Sequence, residues 1–204
     1  MPLVKLLAAT LLAAVLGIGS VAGAFYFFGG YLFAWLVPGD VVSPAWQLQQ
    51  AQKHFTKPND EQERWNHLGP IAVWTVDTGD LATANAMANE LMEMAPRCRN
   101  NWNYGNVIQD VNIVRGRIAL RIGNKAAAVA FLREAGRTPG SPQLNSFGPN
   151  MILARELLQA GEREAVLEYF NDIERFWKLS NGATTAWRQQ VALGLVPSFG
   201  ANIH

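Results

Sequence analysis

The run of residue types best suited to chemistry is 96–110, PRCRNNWNYGNVIQD, with two arginines, four asparagines and two aromatic side chains. Guanidinium groups and side-chain amides bind carboxylates and peptide groups, and aromatic rings provide rigid contact area. This chemistry is non-covalent recognition of another protein. The alternative is a structured loop in which the asparagines cap helix ends. The recognition hypothesis predicts a contact surface made of Arg97, Arg99, Trp102 and Tyr104, with Arg115 and Arg117 on the adjoining helix as long-range attractors.

Charge is distributed unevenly along a chain whose formal net charge is only +1. Residues 40–96 contain three basic and eight acidic side chains, whereas residues 97–137 contain eight basic and two acidic ones. The basic segment either attracts an anionic protein partner or neutralises the acidic segment within the chain. Internal neutralisation would pair the arginines with Asp77, Asp80, Glu90 or Glu93. The small net charge gives no general case for nucleic-acid binding.

The sequence lacks the motifs that position a nucleophile, a phosphate-binding loop, a dinucleotide, a zinc ion or a haem group. The single cysteine, Cys98, cannot form an intrachain disulfide, and the three histidines are widely scattered. Glu63 and His67 lie four residues apart, a spacing typical of a surface contact on a helix. We therefore expect no catalytic residue, no cofactor and no metal site, and we do not expect the chain to be an enzyme.

Helices are the elements that must position these side chains, because long strand-like alternations are absent after residue 42. Val107, Val111, Val114 and Ile118 recur at spacings of four, three and four, which is one face of a helix. Ser43-Pro44 predicts a helix that runs to about residue 57 and stops before Pro58. These patterns predict an all-α fold.

Three glycine-polar pairs predict helix-turn-helix units: Gly79-Asp80, Gly123-Asn124 and Gly161-Glu162. A glycine can adopt the positive φ that ends one helix, and the polar residue then opens the next. Such hairpins cannot bury their apolar faces alone, so they are expected to stack. A turn-rich insertion, residues 138–150, separates the second unit from the third, and Ser146 followed by Pro149 predicts the start of a new helix. The triplet Ser-Phe-Gly occurs at 146–148 and again at 198–200, either by chance or because both turns dock on one surface.

The middle unit, residues 113–139, resembles the tetratricopeptide repeat, in which small residues let two helices approach closely. The first unit also contains Trp65-x-x-Leu68-Gly69, which is similar to the opening of that family's motif. The sequence departs from the family in the ten-residue spacing between Gly69 and Gly79 and in Pro70, which predicts a kink or a restart. The resemblance covers about residues 60–177, implies a degenerate tetratricopeptide-like α-solenoid, and extends to bacterial proteins of unassigned function. The matching positions of the middle unit are Gly116, Ala119, Gly123, Ala128, Leu132, Ala135 and Pro139.

The N-terminal segment is apolar and has no charged side chain between Leu6 and Val37. As a helix this run would extend about 48 Å, well beyond the roughly 30 Å hydrocarbon core of a bilayer. One interpretation is a signal peptide cleaved after Ala22-Gly23-Ala24. The other is an uncleaved signal-anchor, which we favour because the segment stays apolar and rich in aromatic residues to Pro38. Lys5 favours an inside N-terminus.

These observations predict two parts, a transmembrane segment at residues 1–39 and a helical repeat domain at residues 40–204. We expect an inner-membrane, single-pass protein whose C-terminal domain is periplasmic and binds protein partners, as an accessory or scaffold subunit of a membrane complex. Residues 6–37 would contact lipid. Two alternatives remain open. The apolar helix could pack inside an energy-transducing respiratory or photosynthetic complex, or the chain could be a secreted enzyme with an unrecognised site near residues 97–121.

Overall fold

The regular elements of this chain are helices in the computed structural model, which describes residues 43–203 and contains no β-strand in that range. The prediction of an all-α fold is thereby confirmed for the described residues. The predicted membrane span at 6–37 lies outside them. Within residues 43–203, no helix combines the length and the apolar character that crossing a bilayer requires.

The α-helices are α1 (Pro44–Lys53), α2 (Glu61–Thr75), α3 (Leu81–Met94), α4 (Tyr104–Arg121), α5 (Lys125–Gly136), α6 (Pro142–Phe147), α7 (Ile152–Gln159), α8 (Arg163–Ile173) and α9 (Ala183–Ala192).

Polar side chains cap the starts of several helices. Ser43 Oγ accepts a hydrogen bond from Trp46 N at 3.2 Å, and Pro44 occupies the first turn of α1. The helix ends at Lys53 and is therefore shorter than the predicted helix, which ran to about residue 57. Lys57 precedes a proline and is therefore biased away from helical backbone, and Phe55 turns to pack against the core.

Two further helix boundaries differ from the sequence prediction. Helix α2 continues through Pro70 without a restart, and the proline ring lies exposed on its outer side. The insertion at 138–150 contains helix α6, which starts after Ser141 and has Ser146 in its last turn. Ser141 Oγ accepts from Leu144 N at 2.9 Å, so this residue and Pro142 repeat the Ser-Pro start of α1. The spacing of Ser146 and Pro149 was therefore the wrong signal for a helix start.

Turns on the three predicted glycines join α2 to α3, α4 to α5, and α7 to α8. Gly79, Gly123 and Gly161 have φ values of 84°, 81° and 90°, the left-handed conformation that glycine adopts without steric cost. The sequence reading missed a fourth turn of this kind at Gly194, where φ is 82°. There Leu195 N donates to Gln190 O at 3.0 Å, as Asn124 N donates to Ala119 O at 2.8 Å. Helix α9 therefore ends as α4 and α7 do, but no second α-helix follows it among residues 43–203.

The hairpins pack against one another in chain order. Helices α2 and α3 both contact α4, and α4 and α5 in turn contact α7, while α5 also contacts α8. Close approach depends on small residues: a Cβ on Gly116 of α4 would lie 2.3 Å from the Leu153 side chain of α7. A single buried cluster runs from Trp65 in α2 to Ile203 near the C-terminus.

The C-terminal tail returns to the insertion between the second and third hairpins. Asn202 Nδ2 donates to the carbonyl oxygens of Phe147 and Pro149, at 2.9 and 3.1 Å, and Met151 N donates to Asn202 O at 2.7 Å. The tail therefore contacts the first Ser-Phe-Gly turn through Asn202, two residues after the second one. Phe199 is buried against Trp187, with ring centroids 4.9 Å apart, whereas Phe147 is exposed.

Candidate protein-binding site

The connection between α3 and α4, residues 95–103, presents the predicted contact residues on a well-fixed turn. Asn101 N donates to Cys98 O at 2.9 Å, and Asn103 N donates to the side chain of Asn101 at 2.8 Å. The indole of Trp102 protrudes from this turn and is 58% exposed. Arg99 is also exposed. Asn101 thus organises the loop, whereas Asn103 makes no side-chain capping hydrogen bond at the start of α4. Trp102, between them, is held out into solvent.

Tyr104 fixes the end of this connection by stacking on a buried aromatic ring. It is the first residue of α4 and is half-buried, and its ring lies 6.1 Å from the Trp65 ring of α2 with an interplanar angle of 23°. Trp65 itself is fully buried. The stack therefore anchors the start of α4 to α2, so that Tyr104 positions the turn and offers only part of its ring to a partner.

Six of the eight basic side chains in the segment 97–137 face acidic partners in the described part of the chain. Arg97 pairs with Glu61 at 2.9 Å, and both side chains are largely exposed. Internal neutralisation of the acidic segment therefore accounts for part of the basic run. The other paired residues are Arg117 and Arg121 with Asp77 and Glu156, Lys125 with Glu162, Arg133 with Glu168, and Arg137 with Glu134.

The two remaining cations of this segment are Arg99 and Arg115. Arg99 has no hydrogen-bond or ion-pair partner among residues 43–203, and Arg115 donates only to the side-chain amide oxygen of Asn89, at 3.0 Å. An unpaired guanidinium retains its full capacity to bind a carboxylate. These two arginines are therefore the positions in the basic segment at which an external anion meets no acidic competitor from residues 43–203.

Arg117 lies in the interior, contrary to the picture of an exposed attractor. Its side chain is 1% exposed and donates to Asp77 Oδ1 at 2.8 Å, to Glu156 Oε1 at 2.7 Å and to the Val73 carbonyl oxygen. Burial lowers the pKa of the guanidinium, but the hydrogen bonds and charges of Glu156 and Asp77 outweigh that effect and raise it. Arg117 therefore holds α2, α4 and α7 together, and we leave it out of the contact surface.

The predicted contact residues do not form one patch. Arg99 and Trp102 precede the start of α4, and Arg115 lies eleven residues after Tyr104, which separates them by about 16 Å along the helix axis. The structure brings Arg97, Arg99, Trp102 and Tyr104 together at one end of the stacked hairpins. It places Arg115 near the opposite end, close to the glycine turn at 123. Sequence reading could not separate these ends, because both lie within one basic segment.

Titratable groups in the described residues offer little for acid-base or nucleophilic chemistry. Burial raises the pKa of the Cys98 thiol, and the charge of Glu61 raises it further, so that this cysteine is not an activated thiolate. Burial also raises the pKa of the Asp110 carboxyl group, to about 7, and that of the Tyr169 hydroxyl group well above its ordinary value. Among residues 43–203, no group of three or more metal-ligating side chains could hold an ion.

Comparison of the chain with protein-family models, with curated proteins and with solved structures finds no match in any of the three.

Proposed function

We propose that this chain is a membrane-anchored protein-binding or assembly module, an accessory or scaffold subunit of a membrane protein complex. The observation that carries the proposal is the exposed Trp102 near Arg99, which has no partner in the described part of the chain, on a turn fixed by hydrogen bonds. Tryptophan and arginine are enriched among the residues that dominate binding free energies at interfaces. A side chain that protrudes from an ordered turn also loses little conformational entropy when a partner covers it.

The chemistry of this site favours an acidic protein surface with an apolar pocket for the indole. Arg99 would bind a carboxylate, and Trp102 would supply buried apolar area. Arg97 flanks them, and its exposed ion pair with Glu61 is of the kind that contributes only about 0.2–1 kcal/mol. The pair can therefore be exchanged for a carboxylate of the partner at little cost.

The architecture and the N-terminal segment support the scaffold role. Helical hairpins that pack in chain order are what a degenerate tetratricopeptide-like solenoid requires, and such arrays present extended binding surfaces. The uncharged run at 6–37 is long enough to anchor the chain in the inner membrane. In this proposal the helical domain is periplasmic, and lateral anchoring keeps it close to its partner.

The experiment is purification of the full chain from membranes in mild detergent, with mass spectrometry of the proteins that migrate with it. We expect a reproducible partner that is retained with the native chain and lost with Trp102→Ala. Leu193→Ala is the matched control, because Leu193 is 77% exposed and lies beyond the end of α9. A solitary monomer from membranes of the native host would contradict the proposal.

Salt dependence tests the electrostatic part of the same interaction. Reversing the charge with Arg99→Glu should mainly slow association, since exposed charges steer encounter, and Trp102→Ala should mainly speed dissociation. Binding should weaken as salt rises past about 0.15 M, where the Debye length is about 8 Å. If the affinity does not change with salt, the arginines are not part of the contact.

A further inference from the structure

An open groove lies at the opposite end of α4 from Trp102, between α3, α4 and α5. Its volume is about 280 Å³, below the roughly 300–1,000 Å³ of ordinary small-molecule pockets. The space suits one or two side chains of a peptide and is too small for a large cofactor. The groove is lined by Asn85 of α3, Arg115, Ile118, Ala119 and Ile122 of α4 and its end, and Asn124, Ala127 and Phe131 at the start of α5.

The polar groups of this groove are rich in hydrogen-bond donors, and none of the lining residues is acidic. Arg115 is half-buried and donates one bond, to the Asn89 amide oxygen, so that most of its N–H groups remain available. The Asn124 side-chain oxygen already accepts from Ala127 N at 3.0 Å, which leaves its amide N–H groups for a ligand. The occupant must therefore supply acceptor atoms and negative charge.

The floor of the groove is apolar. Its apolar lining residues include Ile118, Ala127, Phe131 and Ile122, and 68% of the Ile122 surface is exposed. Covering such an exposed aliphatic side chain with apolar surface is favourable, because it removes the side chain from water. An occupant that both accepts hydrogen bonds from the donors and packs on the apolar residues carries a carboxylate directly beside an apolar side chain.

We propose that this groove binds an extended peptide segment in which a carboxylate lies next to a large apolar side chain. Arg115 holds the carboxylate with the Asn124 and Asn85 amides beside it, and the apolar side chain packs on Ile118, Ile122 and Phe131. The groove is a second binding site on the opposite end from Arg99 and Trp102. Peptide binding in this groove is independent of the function proposed for that first site.

The test uses the full chain in lipid nanodiscs with isotope-labelled isoleucine methyl groups. The probe is the tripeptide N-acetyl-Ala-Ala-Leu with a free C-terminal carboxylate, and the same peptide with a C-terminal amide is the matched control. We expect the acid to shift the methyl resonances of Ile118 and Ile122 saturably. The amide should bind more weakly by up to about fivefold, as the loss of one partly exposed ion pair predicts.

Two variants assign the effect to the groove. Arg115→Gln should reduce the affinity for the acid to that for the amide, while Arg99→Gln at the far end should leave both affinities unchanged. The buried methyl groups of Ile152 and Ile173 report whether each variant keeps its fold. The proposal is overturned if the acid shifts neither groove isoleucine, if acid and amide bind the native chain equally, or if a folded Arg115→Gln binds as the native chain does.

Discussion

Arg117 of α4 and Asp77, just beyond the end of α2, form an ion pair inside the fold, with Nη2 and Oδ1 2.8 Å apart. Glu156 of α7 shares the same guanidinium at 2.7 Å. One side chain therefore connects helices from three hairpins. Oδ2 of Asp77 and Oε2 of Glu156 are also buried, and neither has a hydrogen-bond partner in the described part of the chain. Arg117 is therefore the buried positive charge that compensates the two carboxylates, and the more exposed Arg121 also contacts them.

Replacing Arg117 with methionine should destabilise the domain by about 3–5 kcal/mol, because it removes the buried cation shared by two largely buried carboxylates. Arg121 contacts the same two carboxylates, but 43% of its side chain is exposed. Arg121→Met should therefore cost about 1 kcal/mol or less. Urea unfolding followed by circular dichroism measures both values, and equal losses for the two variants would contradict a special role for Arg117.

Asp110 should make the stability of the domain depend on pH. Burial of its carboxyl group raises the pKa from 3.8 to about 7 in the folded state, although part of the residue is still exposed to solvent. Between these values the folded state binds more protons than the unfolded state, so the free energy of unfolding falls as pH rises from about 4 to above 7. Stability should be highest, as far as Asp110 contributes, below pH 4.

Asp110→Asn isolates this effect, because the amide keeps the shape and cannot ionise. The variant should match the native chain near pH 4 and exceed its urea midpoint at pH 8. A difference between the two chains that stays constant across this range would show that the Asp110 carboxyl group titrates normally.

Gly105 near the start of α4 provides a test in which packing opposes helix propensity. Alanine is favoured over glycine inside helices by about 1 kcal/mol, so propensity alone predicts that Gly105→Ala stabilises the domain. A Cβ at this position would lie 1.9 Å from the Gly140 carbonyl oxygen, a backbone atom that cannot swing away. We expect a loss of about 1–3 kcal/mol in the free energy of unfolding. A rise in melting temperature would mean that the two segments are farther apart.

The sequence predicted the helical class and the three glycine turns because both depend on local chemistry. Gly123, for example, lacks a Cβ and adopts a φ of 81° without strain, and the following asparagine caps the next helix. The C-terminal end of α1 and the continuation through Pro70 were predicted wrongly. They depend on what Phe55 and the outer face of α2 meet in the folded chain, which a local pattern does not contain.

The candidate site was predicted only in part for the same reason. Composition identified Arg99 and Trp102, since unusual residue types cluster in that run. It could not distinguish Arg115, which has no acidic partner in the described residues, from Arg117, two positions later on the same helix. The partner of Arg117 at Glu156 is 39 residues away, and only the packing of α4 on α7 brings it close.

The N-terminal anchor remains a prediction with a direct check. If the segment is retained, the mature protein should begin at Met1 or Pro2 and stay with the membrane through carbonate washing, because an apolar helix of about 20 residues spans the bilayer. Intact-mass spectrometry of protein from its native membrane measures the start. A mature N-terminus at Phe25 would identify the segment as a cleaved signal peptide.

The most direct test of the central claim, that Trp102 contacts a protein partner, is photocrosslinking in intact membranes. A photoreactive phenylalanine replaces Trp102 in one chain and Leu193 in another, since both positions are strongly exposed but lie on different segments. We predict one discrete adduct at position 102 that is absent at 193 and weakened by Arg99→Glu. Absence of an adduct at 102, or the same adducts at both positions, would contradict the account.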